Sequence, residues 1–161
     1  MAQCHDVPVI SQKTIQLCWE ACAQMMWHWR YRSKSKAELE SSYREAAGAY
    51  LRINKGLVEN EMNIFYRQLG MRSAERPNAD IIRHQLERSP VIFTSIAQTQ
   101  GHAMVAAYYD AAKNSYLVVN PCGLMEISFD LDGHDSCQAM GAHLSAANAE
   151  KNLGMFMWYW P

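Results

Sequence analysis

The spacing of the apolar residues changes at Pro90, and this change constrains the fold more than any other feature of the sequence. Before Pro90, apolar residues recur at steps of three and four, which is typical of helices with one buried face. After Pro90, short β-branched or aromatic runs alternate with turn residues, which is typical of strands. The order predicts an α+β fold in which an N-terminal helical part packs on a C-terminal antiparallel sheet.

The pattern predicts four helices and five strands. The helices are expected at residues 17–33, 36–51, 59–69 and 78–88. Ser35 and Asn78 are suitable caps, Gly70 is a suitable stop, and Ile81, Ile82 and Leu86 are expected to face inward. The strands are expected at residues 91–96, 103–109, 116–119, 125–129 and 155–160. The segment 130–152 is rich in Gly, Ser, Asn and Ala, and we expect a long loop there, or a loop with one helical turn.

Length and composition indicate one ordinary globular domain. The 161 residues predict a single domain over 1–161, with a helical part at about 1–89 and a sheet part at about 90–161. With 49% apolar and 19% charged residues, the chain is unlike disordered proteins. The net charge of −1 and the lack of a Lys/Arg cluster predict no nucleic-acid partner and no membrane partner. The N-terminus has no basic start followed by an apolar core, so we expect no signal peptide.

The cysteines include one candidate nucleophile. An odd count of five, at positions 4, 18, 22, 122 and 137, leaves at least one thiol unpaired, and the pairing of the others stays open. Their spacing gives weak support for zinc, because there is no Cys-x-x-Cys. Cys18 lies at the first turn of an apolar helix, where unpaired N–H groups and the helix dipole favour a thiolate. We therefore expect a lowered pKa at Cys18, and a packing role for Cys22 one turn later.

His102 and Asn120 are the candidate partners of this nucleophile. His102 opens a predicted strand directly after Gly101, and Asn120 ends the next strand just before Pro121. Two adjacent antiparallel strands would bring Asn120 close to His102, where its amide oxygen would hold a ring N–H and fix the tautomer. The alternative at this point is that Cys18 and His102 are core residues of a binding module and that Asn120 is only a turn residue.

Taken together, these residues resemble the papain-like cysteine peptidases. The resemblance rests on Gln12 six residues before Cys18-Trp19, then Gly101-His102, then Asn120-Pro121. It covers most of the chain and is nearest to compact bacterial branches, the AvrRpt2-type effector peptidases and the C39-like peptidases. The sequence departs from papain in that His102 and Asn120 follow the nucleophile at a shorter distance than the roughly 130–150 residues of papain.

The resemblance implies a role for each matched residue. Cys18 matches the nucleophile, His102 the general base and acid, and Asn120 the orienting third member. Gln12 matches the side-chain donor of the oxyanion hole, with the Cys18 N–H as second donor. Trp19 and Gly101 match substrate-binding positions. A peptidase of this kind cleaves protein or peptide substrates through a thioester and uses neither a metal nor an organic cofactor.

The resemblance also implies a biological setting. It suggests a toxin or effector that is made in the cytoplasm, exported by a specialised secretion system and active in the cytoplasm of a target cell, with a cognate immunity protein where the targets are competing bacteria. Other activities stay open: a peptidoglycan amidase or endopeptidase of the NlpC/P60 kind, and a thiol acyltransferase or deamidase. A non-catalytic binding module is the remaining alternative.

Overall fold

The structure, a computed structural model, describes residues 4–14, 16–95, 102–121 and 140–161. Its helices are α1 (Cys18–Arg30), α2 (Lys36–Ala47), α3 (Glu59–Gln68), α4 (Ala79–Leu86) and α5 (Ala146–Lys151), with a 3-10 turn at Gly48–Arg52 after α2. Its strands are β1 (Arg72–Glu75), β2 (Val91–Ser95), β3 (His102–Asp110), β4 (Ser115–Asn120), β5 (Met140–Ser145) and β6 (Leu153–Tyr159). Among the described residues, no helix is both long and apolar enough to cross a membrane.

The described strands form one antiparallel sheet in the order β1-β6-β2-β3-β4-β5. The last strand, β6, lies between β1 and β2. The sheet therefore includes β1, which comes from the N-terminal part of the sequence, as well as the strands that follow Pro90. In this order β2, β4 and β1 end where β3, β5 and β6 begin, and His102 and Asn120 both lie at that end of the sheet.

Both faces of the sheet are covered, because its central strands have apolar residues on both sides. On one face, Ile92, Val105 and Trp158 pack with α1, α2 and α3 in the larger core. On the other face, residues such as Phe93, Met104 and Val118 pack with α4 and α5. The two sets alternate along the strands, as a period of two requires.

The structure confirms the helices predicted from the sequence, with shifts at their ends. Ser35 accepts a hydrogen bond from the Glu38 N–H and caps α2, and Asn78 caps α4 in the same way. Gly70, with φ +104°, follows the end of α3. The inward placement predicted for Ile81 is wrong: its side chain is 39% exposed, while Ile82 is buried.

Two strands differ from the sequence-based prediction. β1 lies within the part predicted to be helical, and its hydrogen bonds to β6 come from residues that are distant in sequence. In the segment expected to be a loop, or a loop with one helical turn, residues 140–145 form β5, and the short helix α5 fits the helical turn. Strands that depend on a distant partner leave only a weak local signal, which explains both omissions. The strand predicted at 125–129 lies outside the described residues.

Candidate active site

His102 and Asn120 form a buried hydrogen-bonded pair at the end of the sheet. Val105 lies opposite Val119, so Asn120 is diagonal to His102 on the neighbouring strand and on the same face. The His102 Nε2 and the Asn120 Oδ1 are 2.6 Å apart. Because an amide oxygen only accepts hydrogen bonds, Nε2 carries the proton and Nδ1 carries the lone pair. Nδ1 is buried and has no hydrogen-bond partner in the described part of the chain, so it is available as a base.

Cys18 lies near the start of β3, because α1 packs against this strand. It is the first residue of α1, and the preceding Leu17 provides no side-chain cap. The Cys18 sulfur is within hydrogen-bonding reach of the backbone N–H groups of Ala103, Trp19 and Cys18 itself. The contact with Ala103, the residue after His102, places the half-buried thiol near the start of β3.

Burial dominates the electrostatics of the site. It raises the pKa of the Cys18 thiol, and the three backbone N–H groups oppose this only in part. Burial also lowers the pKa of His102, against a smaller raising effect of the hydrogen bond to Asn120. The lowered thiol pKa predicted from the helix terminus is therefore wrong for the unliganded protein. Both shifts favour a neutral thiol and a neutral imidazole.

Gln12 lies close to the end of β4. Its backbone N–H donates to the Pro121 carbonyl oxygen at 3.1 Å, and its side chain is buried. The Gln12 Nε2 donates to the Thr14 carbonyl oxygen at 2.6 Å, which uses one of its two hydrogens. Nε2 keeps a second hydrogen, and the oxyanion role of Gln12 stays a prediction.

Trp19 belongs to the core rather than to the substrate surface, which corrects the expectation from the sequence. Its side chain is 1% exposed, packs edge-on against Phe65, and donates from Nε1 to the Lys55 carbonyl oxygen at 3.0 Å. A side chain fixed in this way holds the first turn of α1 but is not accessible to substrate. Gly101 lies outside the described residues.

Two supports of the nucleophile were not identified from the sequence. One is the Ala103 N–H. Almost any residue type at this position would supply the same backbone donor, so the sequence gives no signal for it. The other is the Tyr66 hydroxyl, which donates to the Trp19 carbonyl oxygen at 2.8 Å from the buried face of α3. The periodicity of α3 places Tyr66 inward but cannot show which carbonyl it meets.

The remaining described thiols and histidines have other surroundings. Cys22 is fully buried one turn after Cys18, as predicted, and Cys4 is exposed. The His5 Nε2 lies 2.6 Å from the Leu86 carbonyl oxygen, and His143 pairs with Ser115. Within the described ranges, no three His, Cys, Asp or Glu side chains converge as metal ligands.

The fold and this constellation define a papain-like cysteine peptidase. The family model of the papain-like cysteine protease AvrRpt2 matches residues 1–131, and the chain belongs to this family. No curated protein sequence matches the chain. The family assignment confirms the resemblance seen in the sequence and identifies the chain as a hydrolase that acts on protein or peptide substrates.

Solved structures of the same fold are similar to the chain over nearly its whole length. The peptidase domain of Streptococcus ComA, a bi-functional ABC transporter involved in quorum sensing, has a TM-score of 0.58 and 12% identity, covering 94% of this chain and 96% of that domain. The peptidase domain of Streptococcus mutans ComA has a TM-score of 0.55 and 12% identity, covering 95% and 98%. At this identity the likeness concerns the fold, and it confirms the predicted α+β papain-like architecture.

Proposed function

We propose that this peptidase works through Cys18, His102 and Asn120, with Gln12 assisting. The observation that carries the proposal is the His102–Asn120 hydrogen bond, which leaves the Nδ1 lone pair unpaired one residue before Ala103, whose N–H reaches the Cys18 sulfur. An imidazole fixed by an amide oxygen, with its other nitrogen buried and vacant, is suited to take a proton from a neighbouring thiol.

The reaction then has two balanced halves. The Cys18 sulfur loses its proton to His102 Nδ1 and attacks the peptide carbonyl carbon, forming a tetrahedral oxyanion. The Cys18 N–H and the second N–H of the Gln12 amide donate to that oxyanion. The imidazolium returns its proton to the leaving amine as the C–N bond breaks, which leaves a thioester. Water gives a proton to Nδ1, attacks the thioester, and releases the acid and the thiol.

We further propose that the protein is an effector that acts inside another cell. The support is its membership of the AvrRpt2 family together with the effector setting that the resemblance implies. A specialised secretion system would export the protein, and its target would be a protein in the cytoplasm of the recipient cell. Where the targets are competing bacteria, the producing cell would protect itself with a cognate immunity protein that occludes the cleft.

Expression in two bacterial compartments tests this function. The wild type and Cys18→Ala are produced in the cytoplasm and, separately, in the periplasm, and Cys4→Ala serves as a control because it removes an exposed thiol away from the site. We expect growth arrest with the wild type and Cys4→Ala in the cytoplasm, and none with Cys18→Ala. Comparison of protein termini in arrested cells would then identify cleaved targets.

Two results would point elsewhere. Arrest only in the periplasm, with release of peptidoglycan fragments, would support a cell-wall amidase. Arrest by Cys18→Ala equal to that by the wild type would exclude Cys18 as the nucleophile.

A further inference from the structure

A cavity of about 400 Å³ lies at the same end of the sheet as the candidate catalytic residues. Arg76, just after β1, and Gly154 and Met155, at the start of β6, form part of its wall. Glu59 from α3 and Glu150 from α5 line it from the two helical layers. Its volume is in the range of ligand pockets, roughly 300–1,000 Å³.

Strand pairing fixes where this cavity lies relative to His102. Ser95 at the end of β2 pairs with His102 on one side and with Leu153, a wall residue of the cavity, on the other. Neighbouring strands are about 4.8 Å apart, so two steps across the sheet cover roughly 10 Å. An extended peptide advances about 3.3 Å per residue, so this near wall of the cavity is about three residues of extended peptide away from His102.

A second path connects the cavity with the nucleophile helix. The Lys55 carbonyl oxygen accepts the Trp19 indole N–H, and Gly56 lies against the Gln16 backbone. Four residues after Lys55, the chain reaches Glu59 in the cavity wall. The segment leading into α3 therefore borders the space between the nucleophile and the cavity.

The carboxylates that line the cavity already have partners. Glu150 forms an ion pair with Arg83 at 2.6 Å and accepts from the Tyr116 hydroxyl at 3.0 Å. Glu59 accepts from the Thr94 hydroxyl and from the backbone N–H groups of Met155 and Phe156.

Arg76, in contrast, has no ion pair within the described part of the chain. The ion pairs there join Lys36 with Glu40 and Arg83 with Glu150, and the His84 Nδ1 lies 3.9 Å from a Glu87 carboxylate oxygen. The Arg76 guanidinium is therefore the lining charge that is available to a ligand.

The backbone of Arg76 is unusual for its residue type. Its φ of +48° lies in the left-handed region, which favours glycine or asparagine, and Pro77 follows directly. Its N–H is fixed by the Met155 carbonyl oxygen at 2.7 Å. A long charged side chain held in a costly backbone conformation at a cavity is typical of a functional position.

We propose that this cavity is a substrate subsite for an acidic side chain, which Arg76 binds through its planar guanidinium. The subsite takes an Asp or Glu located about three residues from the scissile bond. A guanidinium matches a carboxylate with two parallel N–H···O bonds, whereas the neutral amides of Asn and Gln offer one oxygen and no charge. The inference rests on the proposed peptidase function and extends it to substrate choice.

Cleavage of a peptide library tests the subsite. The purified wild type, Cys18→Ala, Arg76→Asn and Arg72→Asn are each incubated with peptides from a bacterial proteome, and cleavage sites are sequenced by mass spectrometry. The best substrate is then resynthesised with Asp, Asn or Lys at the enriched position. Arg76→Asn suits the left-handed backbone, so its Tm is expected to equal or exceed that of the wild type. Arg72 is the matched control, because it is an exposed arginine at the other end of β1.

We expect the wild type and Arg72→Asn to prefer Asp over Asn at that position by about tenfold or more in kcat/KM. Arg76→Asn should lose this preference. Three results would overturn the subsite and leave the proposed peptidase function intact. They are cleavage without enrichment of Asp or Glu two to four residues from the scissile bond, an enrichment that survives in Arg76→Asn, and a preference for Lys at that position. No cleavage by the wild type beyond that of Cys18→Ala would overturn the peptidase function and the subsite with it.

Discussion

At the scale of single residues, the protonation state of the catalytic pair is decided by burial. A helix N-terminus favours a thiolate, and three backbone N–H groups reach the Cys18 sulfur. The loss of water around the sulfur outweighs them, so the pKa of Cys18 is raised while the pKa of His102 is lowered. Both shifts favour a neutral thiol and a neutral imidazole in the unliganded protein, so we expect proton transfer to accompany attack on the substrate.

Changing the partner of His102 should move the acid limb of the activity profile in a predictable direction. The Nδ1 lone pair is needed, so kcat/KM should rise with pH through the pKa of His102, with a midpoint below the ordinary 6.5. Asn120→Asp places a carboxylate beside the imidazole and should move that midpoint to higher pH by roughly one pH unit or more. Asn120→Ala removes a hydrogen bond that raises the pKa of His102, so its midpoint should move lower. Coinciding midpoints in all three proteins, measured from pH 4 to 9, would exclude control by Asn120.

Alkylation of Cys18 by iodoacetamide tests the neutral pair directly. Because burial raises the thiol pKa, we expect the labelling rate of the free enzyme to rise with a midpoint above the ordinary 9.0. The reagent's position on Cys18 is confirmed by peptide mapping, with Cys18→Ala as the blank. Fast labelling near pH 5–6 in the wild type that disappears in His102→Ala would instead show a thiolate–imidazolium pair at rest.

Gln12→Ala isolates the oxyanion interaction. If the second N–H of Gln12 donates to the oxyanion, kcat should fall by roughly 10²–10³, about 3–4 kcal/mol of transition-state stabilisation. The alkylation rate of Cys18 is the internal control and should change little, because alkylation forms no oxyanion. A parallel loss of labelling would mean that Gln12 only positions the chain before α1.

At the scale of secondary-structure elements, the joint between α3, β2 and β6 is closely packed around Gly154. A Cβ at Gly154 would lie 2.0 Å from the Thr94 Oγ1 and 2.3 Å from the Glu59 Oε1. Glu59 is the first residue of α3, and its bonds to Thr94 and to the β6 backbone tie the helix to the sheet. The register of β2 on β6 shifts at this point, between Phe93 and Ser95.

Gly154→Ala should therefore lower the free energy of unfolding by about 1–3 kcal/mol, because the added methyl forces Thr94 and Glu59 apart. Gly56→Ala is the matched control: its added Cβ would approach only the Gln16 carbonyl oxygen, at 3.9 Å. Urea denaturation of both variants provides the comparison. Equal midpoints for Gly154→Ala and the wild type would show that the joint can relax at no cost.

At the scale of the whole molecule, the sheet separates two cores of different content. The larger core, between the sheet and α1 to α3, holds the buried Cys22, Tyr43 and Tyr66, and the half-buried Cys18 packs against it; burial raises the pKa of each of them. Each of these acids is neutral in the folded state over a wider pH range than in the unfolded chain.

This arrangement predicts a loss of stability at alkaline pH. Above the ordinary thiol value of 9.0 the unfolded chain releases protons that the folded protein retains, so the free energy of unfolding falls as pH rises. Each group contributes a slope of about 1.4 kcal/mol per pH unit, and the tyrosines add theirs above 10.0. Urea denaturation at pH 8, 9, 10 and 10.5 gives the slope, and Cys22→Ala should reduce it. A flat profile across this range would contradict the burial of these groups.

The sequence by itself determined the helices α1 to α4, the central strands and the identity of the candidate catalytic residues. Ser35 and Asn78 cap their helices through bonds to residues three positions away, and the apolar spacing of α1 and α3 is equally local. Cys18, His102 and Asn120 could be identified because helix starts and strand ends carry characteristic neighbours, and because Gln12 and Cys18-Trp19 match a family.

The tertiary structure alone decided how these parts combine. The pairing of β1 with β6 joins residues more than eighty positions apart, and the burial of Trp19 depends on Phe65 and Lys55. The same long-range packing reversed the expected shift of the Cys18 pKa and placed Arg76 at a cavity near His102. Apolar periodicity and helix capping depend on residues a few positions apart, so they are visible in the sequence. The desolvation of Cys18 and the order of the strands depend on contacts between segments that are distant in the sequence.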